Sequence, residues 1–224
     1  MRTIAILPIK SLGAAKQRLS SLLGSGSRQA LAQAMFSDVL ASLRHVDGLD
    51  EIVVVTANDV AESAARGNGV RLLHDPEEAG QSAAAAIGIR HAVASGYDRV
   101  LLVPGDTPLL DPHEIDALLA RTDPITIVPD RHGTGTNCLL LSPPEVMEPS
   151  FGPGSLDRHV TGARAAGVEP VIQHVPTLML DVDTPDDLAE LAARLEECRG
   201  HAPLTRGALR QLDRSRVRAP VAAA

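Results

Sequence analysis

R-V-L-L-V-P-G-D-T-P-L-L, residues 99–110, carries the signal that decides the fold. Arg99 to Pro104 reads as a strand apolar on both faces, which belongs in a parallel sheet covered on both sides. Gly105 then permits a close backbone approach, and Asp106 follows at once. In open α/β sheets ligands bind beyond the carboxyl ends of the strands. Asp106 is therefore placed to hold a metal ion and a phosphate. The plainer alternative is a turn aspartate in a G-D-x-P sequence.

The same alternation extends in both directions. Ile4 to Pro8 reads as a first buried strand. Ser27 to His45 reads as a helix, with Ser27 as N-cap and Leu31, Ala34, Met35, Val39 and Leu43 on one face. Strands are expected at Glu51 to Thr56 and Val70 to His74, and an Ala-rich helix from Gly80 to Ala94. Asp111 and Pro112 cap and start a helix ending near Thr122. Ile125 to Pro129 and Asn137 to Leu141 read as strands, Ser155 to Ala166 as a helix, and Val171 to Val175 and Leu178 to Asp181 as extended chain. Thr184-Pro185-Asp186-Asp187 opens a last helix with a capping-box pattern, running to about Cys198. This order implies an α/β fold of three layers, αβα, around a mainly parallel, Rossmann-like sheet. Residues 1–198 form one domain. Residues 199–224 accumulate Arg206, Arg210, Arg214, Arg216 and Arg218 and read as a basic, disordered extension, with a phosphate-reaching or partner-binding tail as the alternative.

Composition narrows the function. The chain has 224 residues, 44% hydrophobic and 1% aromatic, with a net charge of −7. That balance disfavours nonspecific nucleic-acid binding, and so few aromatic residues disfavour a base-stacking platform. No apolar run approaches the ~20 residues of a membrane span. Cys138 and Cys198 are the only cysteines, too few for a cysteine zinc site and consistent with reduced thiols in a cytoplasmic setting.

Three further stretches carry chemistry. P-I-K-S-L-G-A-A-K-Q-R-L, residues 8–19, begins where the first strand ends. Lys10, Lys16 and Arg18 supply charge, while Gly13, Ala14 and Ala15 allow backbone approach to a triphosphate. It lacks the Walker spacing, and a solvated basic loop is the alternative. In L-D-V-D-T-P, residues 180–185, residues two apart face the same way in extended chain, so Asp181 and Asp183 can present two carboxylates to one site. Asp183 can instead serve only as a helix cap, and Asp186 and Asp187 belong to the helix N-terminus. P-D-R-H-G-T-G-T-N, residues 129–137, and F-G-P-G-S-L-D-R-H, residues 151–159, are Gly-rich loops bearing hydroxyls, and Ser155 near a helix start makes an anion pocket. Ordinary turn and cap chemistry is the alternative. His132 and His159 lie beside these loops as candidate substrate contacts.

Taken together, the motifs resemble the CofC/FbiD family of guanylyltransferases in coenzyme F-420 biosynthesis, relatives of the MobA-like nucleotidyltransferases. The resembling residues are P-I-K at 8–10, A-K-Q-R-L at 15–19, G-D-T-P-L at 105–109, D-R-H-G-T-G-T-N at 130–137, F-G-P-G-S-L-D-R-H at 151–159 and L-D-V-D-T-P-D-D-L at 180–188. The resemblance implies a nucleotide-diphospho-sugar transferase-like fold and a reaction of GTP with a phosphorylated three-carbon acid that releases pyrophosphate. The Ala- and Arg-rich composition looks bacterial, which makes phosphoenolpyruvate the expected acid; 2-phospho-L-lactate and 3-phospho-D-glycerate are the alternatives. By position, Asp106, Asp181 and Asp183 match metal-binding aspartates for two magnesium ions. Lys10 and Lys16 match the triphosphate segment, and Thr136, Gly152 and Ser155 the acceptor pocket. Gly80-Gln81-Ser82-Ala83 stands where relatives read G-L-N-A, in the nucleotide pocket, which adds Gly80 and Ser82 to the nucleotide-binding set. The product is expected to pass to a downstream deazaflavin transferase. Two rival readings remain: a glycosyltransferase using Asp181-Val182-Asp183 as its D-x-D, and a non-catalytic nucleotide-binding module.

Overall fold

The computed structural model describes residues 1–10, 16–198 and 200–218. Seven strands form one sheet: β1 (Thr3–Pro8), β2 (Glu51–Thr56), β3 (Arg71–His74), β4 (Arg99–Leu102), β5 (Ile125–Pro129), β6 (Thr136–Leu141) and β7 (Val171–Ile172). Their spatial order is β3-β2-β1-β4-β6-β5-β7. β1 pairs in parallel with β2 and β4, β2 with β3, and β5 with β7. Among the described strands only β6 is reversed, antiparallel to both β4 and β5. The helices are α1 (Ser25–Leu43), α2 (Asp59–Gly67), α3 (Gln81–Ala94), α4 (Pro112–Leu119), α5 (Ser155–Ala165), α6 (Pro185–Glu197) and α7 (Pro203–Arg218).

Successive strand residues point to opposite faces, and the two faces are covered by different helices. Leu7, Val54, Leu101 and Leu140 pack with Phe36, Val39 and Leu43 of α1 and Ile115 of α4. Ile6, Val55, Leu102 and Leu139 pack with Ala85 and Ile89 of α3 and Ala163 of α5. The expected three-layer, mainly parallel architecture is what the chain forms. A third apolar cluster lies outside the sheet and joins Leu31 and Met35 of α1, Leu191 and Leu195 of α6, and Leu19, Leu109, Leu180 and Val182 from loops.

Several local expectations are corrected. α1 begins at Ser25 with Gly24 as its N-cap, and no side chain caps it, so Ser27 lies within the helix. α2 is an element beyond those expected: Val60, Ala61, Ala64 and Ala65 recur at helical spacing and pack on the first core cluster, and the Asn58 side chain caps it. Leu178 to Asp181 is not a strand, because the chain turns there: the N–H groups of Leu178 and Met179 both donate to Val175 O. Of the preceding stretch expected as extended, Val171 to Val175, only Val171 and Ile172 form a strand of the sheet.

The basic stretch read as a disordered extension folds as α7 through Arg218. Ala208, Leu209 and Leu212 pack on the third cluster. Its N-terminus is capped from a distance: Asp38 of α1, only 2% exposed, accepts from Leu204 N at 3.1 Å and Thr205 N at 2.7 Å. A carboxylate at a helix N-terminus satisfies orphan amides and complements the helix dipole. Asp38→Ala is predicted to lower stability by about 1–2 kcal/mol and to speed limited proteolysis within residues 203–218. Unchanged melting temperature and unchanged cleavage would show that α7 does not depend on this cap.

Candidate active site

The carboxyl ends of β1 and β4 lie side by side, and the loops that leave them build the site. After β1, Ile9 stays in register through its N–H to Val55 O at 2.9 Å, and Lys10 is exposed. Gly13, Ala14 and Ala15 fall outside the described residues. The chain is described again at Lys16, whose backbone is left-handed at φ 61°, and Leu19 drops into the third apolar cluster. After β4, the close approach expected of Gly105 is required: a Cβ there would stand 2.5 Å from Ile9 Cδ1 and 3.1 Å from Phe36 Cδ2. Asp106 follows at the sheet edge.

Asp181 and Asp183 reach the same place by the alternation expected of extended chain. Leu180 and Val182 are fully buried, which turns the two aspartates the other way. Val182 N donates to Asp106 O at 3.3 Å and clips this segment to the β4 loop. One carboxylate oxygen from each of Asp106, Asp181 and Asp183 lies within 4.8 Å of the others.

Lys16 stands between two of these carboxylates. Its Nζ is 2.5 Å from Asp106 Oδ2 and 2.8 Å from Asp183 Oδ1, with the side chain only 6% exposed. Burial works against its charge, but Asp106 and Asp183 outweigh that and hold its pKa above the ordinary lysine value. Asp181 has no such partner. Burial, and then repulsion from Asp106, push its carboxyl up to about 6, although the Asn137 hydrogen bond pulls the other way. Three hard oxygen donors with an uncompensated charge between them fit a divalent cation.

The segment after Asp183 is fixed by Asp187. Thr184 Oγ1 accepts from Asp187 N at 3.2 Å, while Asp187 Oδ2 accepts from Thr184 N at 2.7 Å and Asp183 N at 3.1 Å. The expected capping box is thus present, and Asp187 also pairs with Arg131 at 2.6 Å. Through that pair the loop after β5 is tied to the loop that carries Asp183. Asp183 is itself held by Lys16, and the cap belongs to Thr184.

On the other side of the cleft, β6 and α5 meet. Ser155 Oγ accepts from Thr136 N at 2.8 Å. Asn137 Nδ2 donates to Leu178 O at 2.8 Å and to Asp181 Oδ1 at 3.1 Å. Gly152 and Gly154 adopt φ of 108° and 70°, a region costly for other residues. Arg158 donates to the carbonyls of Ser150, Phe151 and Pro153 and locks this turn. His159 is fully buried; burial, with the nearby Arg158 charge, lowers its pKa to about 4.

These walls enclose a cleft of about 420 Å³, lined among others by Arg18, Asp106, Thr136, Gly152, Ser155, Asp181 and Asp183. Lys16 contacts Asp106 and Asp183 but is not itself among the residues that line the cleft. Lys10 and Gly80 are not among the lining residues; Gly80 is the N-cap of α3. Ser82 accepts from Phe151 N at 2.9 Å and so supports the wall, while its neighbour Gln81 lines the cleft. A roomier depression of about 610 Å³ lies at the amino ends of β2 and β3, lined by residues such as Leu43, Asp50 and Arg71. It lacks a carboxylate trio, so chemistry and not volume selects the site. Sequence reading assigned no role to Asn137 or Gln81, although both stood inside quoted motifs. His132 is exposed at the cleft, whereas His159 is buried behind it and is not among the lining residues.

The fold and this site define a nucleotidyltransferase. A structure described as a nucleotide-diphospho-sugar transferase from Desulfovibrio desulfuricans G20 superposes with a TM-score of 0.76 over 96% of both chains at 19% identity, a likeness of fold. The sequence model of the family described as guanylyl transferase CofC like matches residues 3–213, and the chain belongs to that family. It is 48% identical over 219 residues to the phosphoenolpyruvate guanylyltransferase of Conexibacter woesei, covering 96% of this chain and 98% of the relative. It is 37% identical over 207 residues to the protein of the same name from Sphaerobacter thermophilus, covering 91% and 96%.

The strained charge at Asp181 has a measurable consequence. Its folded-state pKa of about 6 lies above the ordinary 3.8, so the folded protein binds more protons than the unfolded chain between these values. Wild-type stability therefore falls as pH rises through that window. Asp181→Asn, freed of chelatable metal, is predicted to match wild type near pH 4 and to exceed it above pH 6, by no more than about 3 kcal/mol. Denaturant melts at both pH values check this; a variant less stable than wild type at pH 7 contradicts it.

Proposed function

We propose that this protein transfers GMP from GTP to phosphoenolpyruvate, giving enolpyruvoyl-2-diphospho-5'-guanosine and pyrophosphate, in the cytoplasmic route to coenzyme F-420. The observation that carries the reading is the convergence of Asp106, Asp181 and Asp183 beside a buried lysine on one side and a hydroxyl-lined pocket on the other. The high identity to proteins named phosphoenolpyruvate guanylyltransferase supports the choice of acid. Among the described residues no helix is long and apolar enough to cross a membrane, which fits a reaction between water-soluble substrates. The product would pass to a transferase acting on a deazaflavin.

The acceptor's phosphate oxygen is already anionic at neutral pH, so the reaction needs charge neutralisation more than a general base. Magnesium, as two ions held by Asp106, Asp181 and Asp183, would offset the charge of the triphosphate and of the attacking oxygen. Lys16, held between Asp106 and Asp183, keeps its proton and stabilises charge on the triphosphate side. Arg18 at the cleft and Lys10 at the end of β1 add positive charge on the same side. Gly80 and Ser82 set the start of α3 against the nucleotide, Ser82 by holding the Phe151 amide. Asn137 orients Asp181. Thr136, Gly152 and Ser155 receive the acid, with backbone and hydroxyl donors suited to an anion.

The decisive assay incubates the protein with GTP, magnesium and one acid at a time and measures pyrophosphate. Release with phosphoenolpyruvate well above that with 2-phospho-L-lactate or 3-phospho-D-glycerate is expected. Asp106→Asn should cut turnover by at least about 10²-fold without unfolding. GTP binding with no acid-dependent pyrophosphate would instead mark a binding module, and consumption of a nucleotide-sugar without pyrophosphate a glycosyltransferase.

A further inference from the structure

His159 is the buried titratable group that the reaction above does not use. Both ring nitrogens are engaged. Ser150 N lies 2.8 Å from Nε2. A backbone amide only donates, so Nε2 must accept and carries no proton. In a neutral imidazole the proton then resides on Nδ1. Nδ1 is 2.8 Å from Thr136 Oγ1, and the direction of that bond follows: Nδ1–H donates and the threonine hydroxyl accepts.

Two hydroxyls at the cleft are thereby given one role each. Thr136 Oγ1 accepts from His159, and among the described residues no protein acceptor takes its own proton. Ser155 Oγ accepts from Thr136 N, and its proton is likewise without a protein acceptor among the described residues. Both residues line the cleft, and both are nearly buried, at 8% and 1% exposed. A pair of adjacent O–H groups whose acceptor roles are filled from behind is left to donate forward, which selects an anionic oxygen and disfavours a hydroxyl or amide donor. We propose that His159 is a positioning residue for the acid substrate: anchored by the Ser150 amide, it holds the Thr136 hydroxyl as a donor to a carboxylate or phosphate oxygen in the cleft.

The ring is placed for this by its surroundings. Phe151 packs edge-on against it, with centroids 5.2 Å apart and planes at 74°. The adjacent Arg158 grips the 150–153 carbonyls, which sets the Ser150 amide. The inference rests on the reading of Thr136 and Ser155 as the acid side of the site, and its test separates the two claims.

Asparagine and glutamine each reproduce one ring nitrogen. In His159→Asn the amide nitrogen falls at the Nδ1 position and can still donate to Thr136. In His159→Gln the amide oxygen falls at the Nε2 position, accepts from Ser150 and leaves Thr136 without its donor. With pyrophosphate release as readout, H159Q is expected to raise the KM for phosphoenolpyruvate about fivefold to tenfold and leave the KM for GTP unchanged, while H159N stays within about threefold of wild type. In a Thr136→Val background H159Q should add nothing further. Equal KM increases in both variants, or an undiminished effect of H159Q beside T136V, would overturn the proposal in favour of a purely structural histidine. Nitrogen-15 NMR of the wild-type protein reads the tautomer without any variant: protonation at Nδ1 is expected, and protonation at Nε2 overturns the proposal whatever the kinetics. Absence of acid-dependent pyrophosphate release from the wild type would instead count against the substrate reading, leaving the tautomer measurement to judge His159.

Discussion

Carboxylates that share a half-buried corner repel one another, and the repulsion grows as water is excluded. Asp106, Asp181 and Asp183 bring one oxygen each within 4.8 Å, an arrangement that persists only because other parts of the chain enforce it. Lys16 bridges Asp106 and Asp183, and its single positive charge offsets one of the three negative charges. Asp181 is left with repulsion and burial, and its raised pKa records that strain. A divalent cation would compensate the remaining charge, so the arrangement suits a loaded state at some cost to the metal-free protein.

The enforcement is apolar. Leu19 follows Lys16, Leu109 follows Asp106, and Leu180 and Val182 flank Asp181; all four sit in the cluster shared by α1, α6 and α7. The loops that carry the charges are thus pinned through neighbours that are buried for ordinary hydrophobic reasons. α7 closes that cluster, which gives the C-terminal basic stretch a structural part in holding the site. Hydrogen bonds then set the finer geometry: Val182 to the Asp106 carbonyl, Asn137 to Asp181, and Asp187 to the Asp183 amide. The reversed strand β6 carries Thr136 at its start, which brings the hydroxyl-lined pocket and the carboxylates to one end of the sheet.

Much of this is legible in the sequence, where local pattern and tertiary outcome agree. The first four residues of the doubly apolar R-V-L-L-V-P run form β4, and the Thr184–Asp187 box is formed as its spacing implies. The period of two at Leu180-Asp181-Val182-Asp183 orients both carboxylates even though the segment is no strand. What was missed depends on distant partners. The cap on α7 comes from Asp38 far back in the chain, so its arginines concealed a docked helix. The turn at Val175–Met179 interrupts a β-like composition. Ser82 and His159 touch the site through Phe151 and Thr136, contacts that no spacing announces. The Nδ1 proton of His159 follows only once Ser150 is placed against the other nitrogen.

The charge-neutralisation mechanism requires the aspartate trio to be a metal site. Electron paramagnetic resonance of manganese, titrated into the protein freed of metal in the presence of GTP, counts free and bound ions directly. Saturable binding in wild type, lost or greatly weakened in Asp183→Asn with the melting temperature maintained, is the predicted result. Equal manganese binding by wild type and that variant would contradict the carboxylate cluster as the seat of the metal, and with it the charge-neutralisation mechanism.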